Sequence, residues 1–166
     1  LPKLAHQNLW VRSIAGGWQL TGILTAQSGG PLTIMAGKDQ SGTGINADRA
    51  QFVSTDVYGS GACGSTGPCV NYLRPAAFAL PAAGTFGNIG KGSLRGPHMV
   101  NWDTGLFKEF PLSAERLRLQ FRAEFFNVLN HTNFSDPKNG FSSGGFGSIT
   151  GASDPRIGQL ALKFLF

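Results

Sequence analysis

The sequence predicts an all-β fold, an antiparallel transmembrane β-barrel segment whose strands have one flank against lipid and the other against water. Three observations predict it. First, the last ten residues alternate: Leu160, Leu162, Phe164 and Phe166 share one side, and Gln159, Ala161, Lys163 and Leu165 the other. Successive strand side chains point to opposite faces, and about 10 residues suffice for a tilted strand to cross a bilayer core. Second, residues 116–128 separate completely on a strand. Leu117, Leu119, Phe121, Ala123 and Phe125 face one way, and Arg116, Arg118, Gln120, Arg122 and Glu124 the other. On a helix these residues would mix around every side. A dry protein core would have to bury a row of arginines at great cost, whereas a hydrated barrel lumen accepts them, with Glu124 as a partner. Third, short and long connections alternate along the chain, as they do in barrels with short periplasmic turns and long extracellular loops.

The elements follow in order. A first strand at about 17–27 alternates Trp18, Leu20, Gly22, Leu24 and Ala26 with Gln19, Thr21, Ile23, Thr25 and Gln27. Ser28-Gly29-Gly30-Pro31 reads as a tight turn, with Gly supplying positive φ and Pro presetting the exit. A second strand is expected at about 31–36. The third, at about 101–110, sets Trp102, Thr104 and Leu106 opposite Asn101, Asp103 and Phe107. Pro111-Leu112-Ser113-Ala114 leads to the fourth, at about 116–128, and the fifth is 157–166. The long loops, about 37–100 and 130–156, are rich in Gly, Ser, Pro and Asn. Trp18 and Trp102 are expected near the outer ends of their strands, in an interfacial aromatic girdle, with Phe110 and Phe166 in the opposite, periplasmic one. About five strands cannot close a barrel of this type, so the chain is expected to form a curved sheet with open edges, part of a larger barrel.

Composition agrees. Charged residues make up 14% of the 166, against about 25% in soluble domains, and Gly (24) and Phe (13) are abundant. No run approaches about 18 consecutive apolar residues, which excludes a transmembrane helix and leaves a membrane barrel open. The net charge is +5, but the basic residues are scattered singly or lie along one strand, so no nucleic-acid partner is expected. The chain begins Leu1-Pro2-Lys3 without an initiator Met or signal pattern, and is expected to be the C-terminal piece of something longer.

Few motifs carry chemistry. Cys63 and Cys69 flank Gly64-Ser65-Thr66-Gly67-Pro68 in the longest loop. A pair so close bridges readily, a disulfide worth roughly 2–3 kcal/mol in the chain-entropy model, and two thiolates without a neighbouring His are a poor metal site. Gly59-Ser60-Gly61-Ala62-Cys63-Gly64 formally matches a dinucleotide fingerprint but neither follows a strand nor opens a helix. Asn130-His131-Thr132 and Asn133-Phe134-Ser135 match a glycosylation pattern that matters only in a eukaryotic secretory setting. His6, His98 and His131 are far apart, and no nucleophile–base pair is readable. Asp103 and Glu124 would both point into the lumen as ion-pair partners for the arginines. No enzyme activity, cofactor or metal is expected.

Several segments resemble the late barrel strands of TonB-dependent outer-membrane transporters, the Oar-like group with a carboxypeptidase-regulatory-like N-terminal domain above all. They are Gly16-Gly17-Trp18-Gln19-Leu20-Thr21-Gly22-Ile23 with Gln27-Ser28-Gly29-Gly30-Pro31, Leu94-Arg95-Gly96-Pro97, Asn101-Trp102-Asp103 with Leu106-Phe107-Lys108, and Asp154-Pro155-Arg156. The most specific is Leu119-Gln120-Phe121-Arg122-Ala123-Glu124-Phe125-Phe126-Asn127-Val128-Leu129-Asn130-His131-Thr132-Asn133-Phe134. The ending resembles the signal read by the barrel-assembly machinery: Gln159 fits its polar place, Leu160 and Leu162 its aliphatic alternation, and Phe164 and Phe166 its last two places, while Ala161 stands where Gly is usual. The resemblance implies a barrel of about 22 strands in the outer membrane of a Gram-negative bacterium, plugged by an N-terminal domain. It implies energised uptake of a large or scarce solute, released when the inner-membrane TonB complex pulls on the plug. The implied partners are outer-membrane lipid, the barrel-assembly machinery, the TonB complex through regions upstream of this chain, and a solute that the residues do not name. The arginine row would meet the plug or an anionic solute. Two rival readings stand beside this one: a barrel-anchored surface protein for adhesion or structure, and a soluble β-sandwich binding module.

Overall fold

The computed structural model describes residues 16–59, 70–113 and 117–166. Ten strands follow one another: β1 (Trp18–Gln27), β2 (Pro31–Leu32), β3 (Gln51–Phe52), β4 (Val70–Asn71), β5 (Phe78–Ala79), β6 (Leu94–Arg95), β7 (Met99–Ser113), β8 (Leu117–Phe126), β9 (Ser148–Ile149) and β10 (Ile157–Leu165). Among the described residues the one helical piece is a 3-10 turn at Pro75–Ala77, and no helix is long and apolar enough to cross a membrane. The chain divides into two compact units, one holding residues 16–26, 100–132 and 154–166, the other Gln27–Met99 and Asn133–Ser153.

The first unit is a single sheet of the four long strands in the order β1-β7-β8-β10. β8 and β10 pair antiparallel from Ile157–Phe126 to Leu165–Arg118, and β7 and β8 from Thr104–Phe125 to Ser113–Leu117. The register shifts between Pro111 and Ser113, where proline has no N–H to give to a ladder. Trp18 lies against Lys108 and Gly22 against Asp103 and Thr104, so β1 runs opposite to β7. Among the described residues β1 and β10 are the sheet's two outer strands, which leaves it open, as was expected of a segment of a larger barrel.

Four long strands stand where five were expected. The segment expected as a second wall strand, 31–36, is a strand only at Pro31–Leu32. Its alternation is real but serves another purpose. Leu32, Ile34 and Ala36 are buried in the second unit, where Ala50 N donates to Ile34 O (3.0 Å), Ala36 N to Asp48 O (2.7 Å) and Met35 N to Asn139 O (3.0 Å). The expected strand at 101–110 extends to Met99–Ser113. That at 116–128 stops at Phe126, because Asn127 takes a left-handed φ of 49° that no strand continues. With residues 28–36 absorbed into the first long connection, the sequence between wall strands still alternates long, short, long.

The second unit, the lobe, is built from the two long connections. These were expected as long loops, and they share a core. Leu32, Ile34, Leu73, Phe78, Ile89 and Phe146 lie at its centre, with Phe52, Phe78, Phe146 and Phe141 in a chain of ring contacts of 5.6, 5.2 and 5.2 Å. Three short antiparallel pairs, β2–β6, β3–β5 and β4–β9, frame it. The pair β4–β9 joins residues 70–71 to 148–149 and so ties one connection to the other. Glycine permits the close approach: Gly147, at φ +76°, accepts from Tyr72 N (3.0 Å) and Leu73 N (2.9 Å), and a Cβ there would stand 2.7 Å from the Leu73 carbonyl oxygen.

The sheet carries no such core; Ala123 is its one buried hydrophobic residue among those described. A lesion in the lobe core should therefore leave the sheet intact. Ile34→Ala, at a site with 0% exposure, is expected to cost the lobe about 2–5 kcal/mol. Limited proteolysis of the full-length protein should then cut within 27–99 and 133–153 at lower denaturant, with heat-modifiable gel mobility of the barrel unchanged.

Candidate functional site

The polar flank of the sheet gathers the charged side chains. Strand alternation puts Arg118, Gln120, Arg122 and Glu124 on it. Register sets Gln120 between Glu109 and Lys163, and Arg122 between Phe107 and Ala161. Arg118 Nη1 donates to Glu109 Oε2 (3.3 Å) and Gln120 Nε2 to Glu109 Oε1 (3.1 Å). Arg122 Nη2 donates to Glu124 Oε1 (2.9 Å), and its guanidinium lies 5.0 Å from the Phe107 ring centroid. The Arg118–Glu109 pair is well exposed and worth at most about 1 kcal/mol. Arg122–Glu124 is better sheltered, by Phe107. Glu124 and Asp103 were expected as partners for the arginine row; Glu124 pairs with Arg122, while Glu109, which the sequence did not single out, pairs with Arg118. Glu109 sits one strand away, and only the register reveals it. Among the described residues Asp103 pairs with no arginine. Its Oδ1 accepts from Asn101 Nδ2 and from Asn127 N (both 2.9 Å), capping the end of β8. Arg116, Cys63 and Cys69 lie outside the described residues.

The opposite flank is apolar. Leu119 is in register with Phe110 and Phe164, Phe121 with Lys108 and Leu162, and Ala123 with Leu106 and Leu160. Leu160, Leu162 and Phe164 are 60–70% exposed. Burying each such side chain is worth about 1.5–3 kcal/mol, so a row of them left in water would be costly. Lys108 interrupts this flank. It is buried, with Nζ donating to Gly16 O (3.0 Å) and standing 4.7 Å from the Trp18 ring and 5.1 Å from the Phe110 ring. Trp18 also meets Phe121 edge-on at 6.3 Å. Trp18 therefore belongs to the end of the sheet where β7 turns into β8, with Phe110. The expectation that Trp18 and Trp102 share the outer end is overturned: it assumed that 28–31 was a short turn between wall strands, and the antiparallel β1–β7 pairing puts Trp102 at the other end.

The bends at the strand ends are held by asparagines. Asn127 Nδ2 donates to His131 O (2.9 Å) and Asp154 O (3.3 Å), and its Oδ1 accepts from His131 N (3.1 Å). Asn130, at φ 52°, accepts from Arg156 N (3.0 Å). Asparagine tolerates this conformation better than other non-glycine residues.

In the lobe, Asp48 Oδ2 accepts from the amides of Gln40 (2.6 Å) and Ser41 (2.7 Å), and Oδ1 from the Ser41 hydroxyl (3.0 Å). These bonds, that of the Ser41 amide foremost, hold its carboxyl below the usual carboxylate range. Asp39 accepts in the same way from the amides of Gly42, Thr43 and Gly44. Both carboxylates thus organise the backbone of their own loop. Arg95 is clamped by two tyrosines: its amide donates to the Tyr58 hydroxyl (3.0 Å), and its carbonyl accepts from the Tyr72 hydroxyl (3.0 Å). The two rings meet edge-on at 5.5 Å. Beside them opens a cavity of about 420 Å3, lined by Phe52, Val53, Ser54, Thr55, Val57 and Leu94.

Residues 1–159 match a family described as outer membrane beta barrel domain. The chain belongs to that family. No curated protein and no solved structure matches it.

An outer-membrane barrel domain explains both flanks of the sheet. In such a barrel an apolar row like Leu160, Leu162 and Phe164 suits the lipid side, and a charged row suits the interior. Trp18 and Phe110 lie together at the short-turn end of the sheet, both beside the Lys108 ammonium group. A charge on the lipid face costs about 2–4 kcal/mol at the midplane and about 0–1 near an interface. Lys108 has two aromatic rings and a carbonyl at its ammonium group, which shelters its charge on the apolar flank. The family match favours an outer-membrane barrel over a soluble β-sandwich module.

Burial, then Tyr58 and Asp136, raise the Tyr72 phenol above its usual pKa of 10. A raised acid contributes stability that is complete below about pH 10 and is lost as pH rises through the native value. Tyr58 and Tyr72 are the chain's two tyrosines. Absorbance at 295 nm of the full-length protein, compared with Tyr72→Phe, is expected to show Tyr72 ionising above pH 10, with protease sensitivity of the lobe rising in the same range.

Proposed function

We propose that this chain is the C-terminal wall of a TonB-dependent, Oar-like outer-membrane transporter for energised uptake of a large or scarce solute. It does no bond-making chemistry. The observation that carries the reading is the 119–134 segment. Its likeness to the late strands of that group coincides with structural work by the same residues: Arg122 and Glu124 pair on the interior flank, and Asn127 and Asn130 bend the chain into the lobe. A wall of paired interior charges suits contact with a plug that must be held and released. In this reading Arg118 and Arg122 face the plug, and the lobe meets the solute. The partners are lipid, the assembly machinery, the TonB complex through upstream regions, and the solute.

The test uses cells carrying the full-length protein. Depletion of solutes from defined medium, followed by mass spectrometry, is expected to depend on the protein and to fall at least tenfold when a protonophore collapses the inner-membrane gradient or when the TonB complex is deleted. Depletion indifferent to both treatments would overturn the transport reading and favour an adhesive or structural surface protein. A separate experiment addresses assembly. Phe166→Ser removes the last aromatic of the terminal alternation, and the amount of heat-modifiable full-length protein in the outer membrane is expected to drop several-fold. Unchanged levels would count against an assembly role for Phe166.

A further inference from the structure

We infer that the lobe cavity bounded by Phe52, Val53, Ser54, Thr55, Val57 and Leu94 is a binding site for the uncharged, apolar end of a solute. The biological purpose of the site rests on the transport reading above; its chemistry does not.

At about 420 Å3 the cavity falls within the range of about 300–1,000 Å3 typical of ligand pockets. It is preformed, because its walls are pinned by backbone hydrogen bonds. Val53 N donates to Ala77 O (3.0 Å), Val57 N to Thr55 O (3.0 Å) and Arg74 N to Val57 O (2.9 Å), and Asp56 N donates to Ser54 Oγ (3.2 Å). Leu94 on the facing wall belongs to β6, whose next residue, Arg95, is held by Tyr58 and Tyr72. Val57 and Leu94 are buried parts of the lobe core, while Val53 is 57% exposed. An apolar ligand would therefore continue the core outward and cover Val53.

Charge and polarity choose the ligand class. Asp56 lies between Thr55 and Val57, and Arg74 bonds to Val57, yet their charged groups are spent on each other in an ion pair. The rim offers no net charge to repay the dehydration of an ion against Phe52, Val57 and Leu94. It does offer hydroxyls: Thr55 Oγ1 has no hydrogen-bond partner among the described residues, and Ser54 Oγ accepts from Asp56 N with its own proton left to donate. A neutral aromatic or branched group bearing a hydroxyl, ether or carbonyl matches these walls.

The full-length protein in detergent-free lipid nanodiscs tests this with 2-naphthol, 2-naphthoate and 2-naphthylmethylammonium, read by saturation-transfer NMR. The neutral probe is expected to bind at least tenfold more tightly than either ion. Val53→Asp should weaken its binding at least tenfold, and Thr55→Val about threefold. Ile45→Asp, at a 63% exposed position elsewhere in the lobe, should change nothing, and an unaltered proteolytic pattern will show that each variant lobe is folded. Subtracting the Val53→Asp signal removes partitioning into lipid. Equal binding of the three probes, or full binding by folded Val53→Asp, would overturn the inference. The two readings fail separately. Protonophore-insensitive depletion with selective naphthol binding sinks transport and leaves the pocket, whereas protonophore-sensitive depletion without selective naphthol binding sinks the pocket alone.

Discussion

Everything in the sheet depends on keeping apolar side chains on one flank and polar ones on the other across strands that are far apart in sequence. Side chains alternate with a period of two, so a slip of one residue in any pairing would exchange the flanks. The observed register keeps them apart. Leu106, Ala123 and Leu160 form one cross-strand row and Phe110, Leu119 and Phe164 another, while Glu109, Gln120 and Lys163 form a row on the reverse side. Charge pairing reinforces the arrangement, because this register brings Glu109 within reach of both Arg118 and Gln120. Lys108 is the exception, and its treatment shows the strength of the rule. It stands in an apolar row, and its ammonium group is turned to a carbonyl and two rings.

The two units meet the same thermodynamic demand by different means. Ordering a residue costs about 1–2 kcal/mol of backbone entropy, against which the sheet sets its hydrogen-bonded ladders and cross-strand side-chain rows. The lobe recovers it from a core of its own, centred on Ile34, Leu73, Ile89 and Phe146. Glycine serves that core less by loosening the chain than by letting backbones touch, as Gly147 does against Leu73. Buried or partly buried carboxylates serve it too: Asp39 and Asp48 take up amide donors that the 39–48 turn leaves unpaired.

The wall strands were legible because alternation is local: 116–128 and 157–166 declare both flanks without knowledge of their neighbours. What pairs with what was not legible. Glu109 gives no sign in the sequence of lying beside Arg118, and Asp103, read as an interior partner for arginine, caps a strand end instead. The alternation of Leu32, Ile34 and Ala36 was readable, but alternation says only that one face is buried and not what buries it. Those residues point into a core completed by Leu73, Phe78 and Phe146, tens of residues away in Gly-rich sequence. The end assigned to Trp18 failed for the same reason, since it followed from taking 31–36 as part of the wall.

The asparagines of the 127–133 stretch show how a long excursion is made compatible with a fixed register. Bringing the ends of a loop together costs entropy that grows slowly with its length, and here the closure is made next to the strands. Asn127 reaches Asp154, and Asn130 reaches Arg156, immediately before β10 begins. Farther out, Ser153 N donates to Asn133 O (2.8 Å) and Ser135 N to Gly151 O (3.0 Å). The connection between β8 and β10 is thus zipped from its base, and the left-handed turn at Asn127 both ends one strand and fixes where the next can start. Because β10 has no other wall strand beside it among those described, its alignment with β8 rests on that short network as well as on the ladder itself. The same asparagines therefore connect the flank-keeping register of the wall to the closure of the segment that feeds Phe146 into the lobe core.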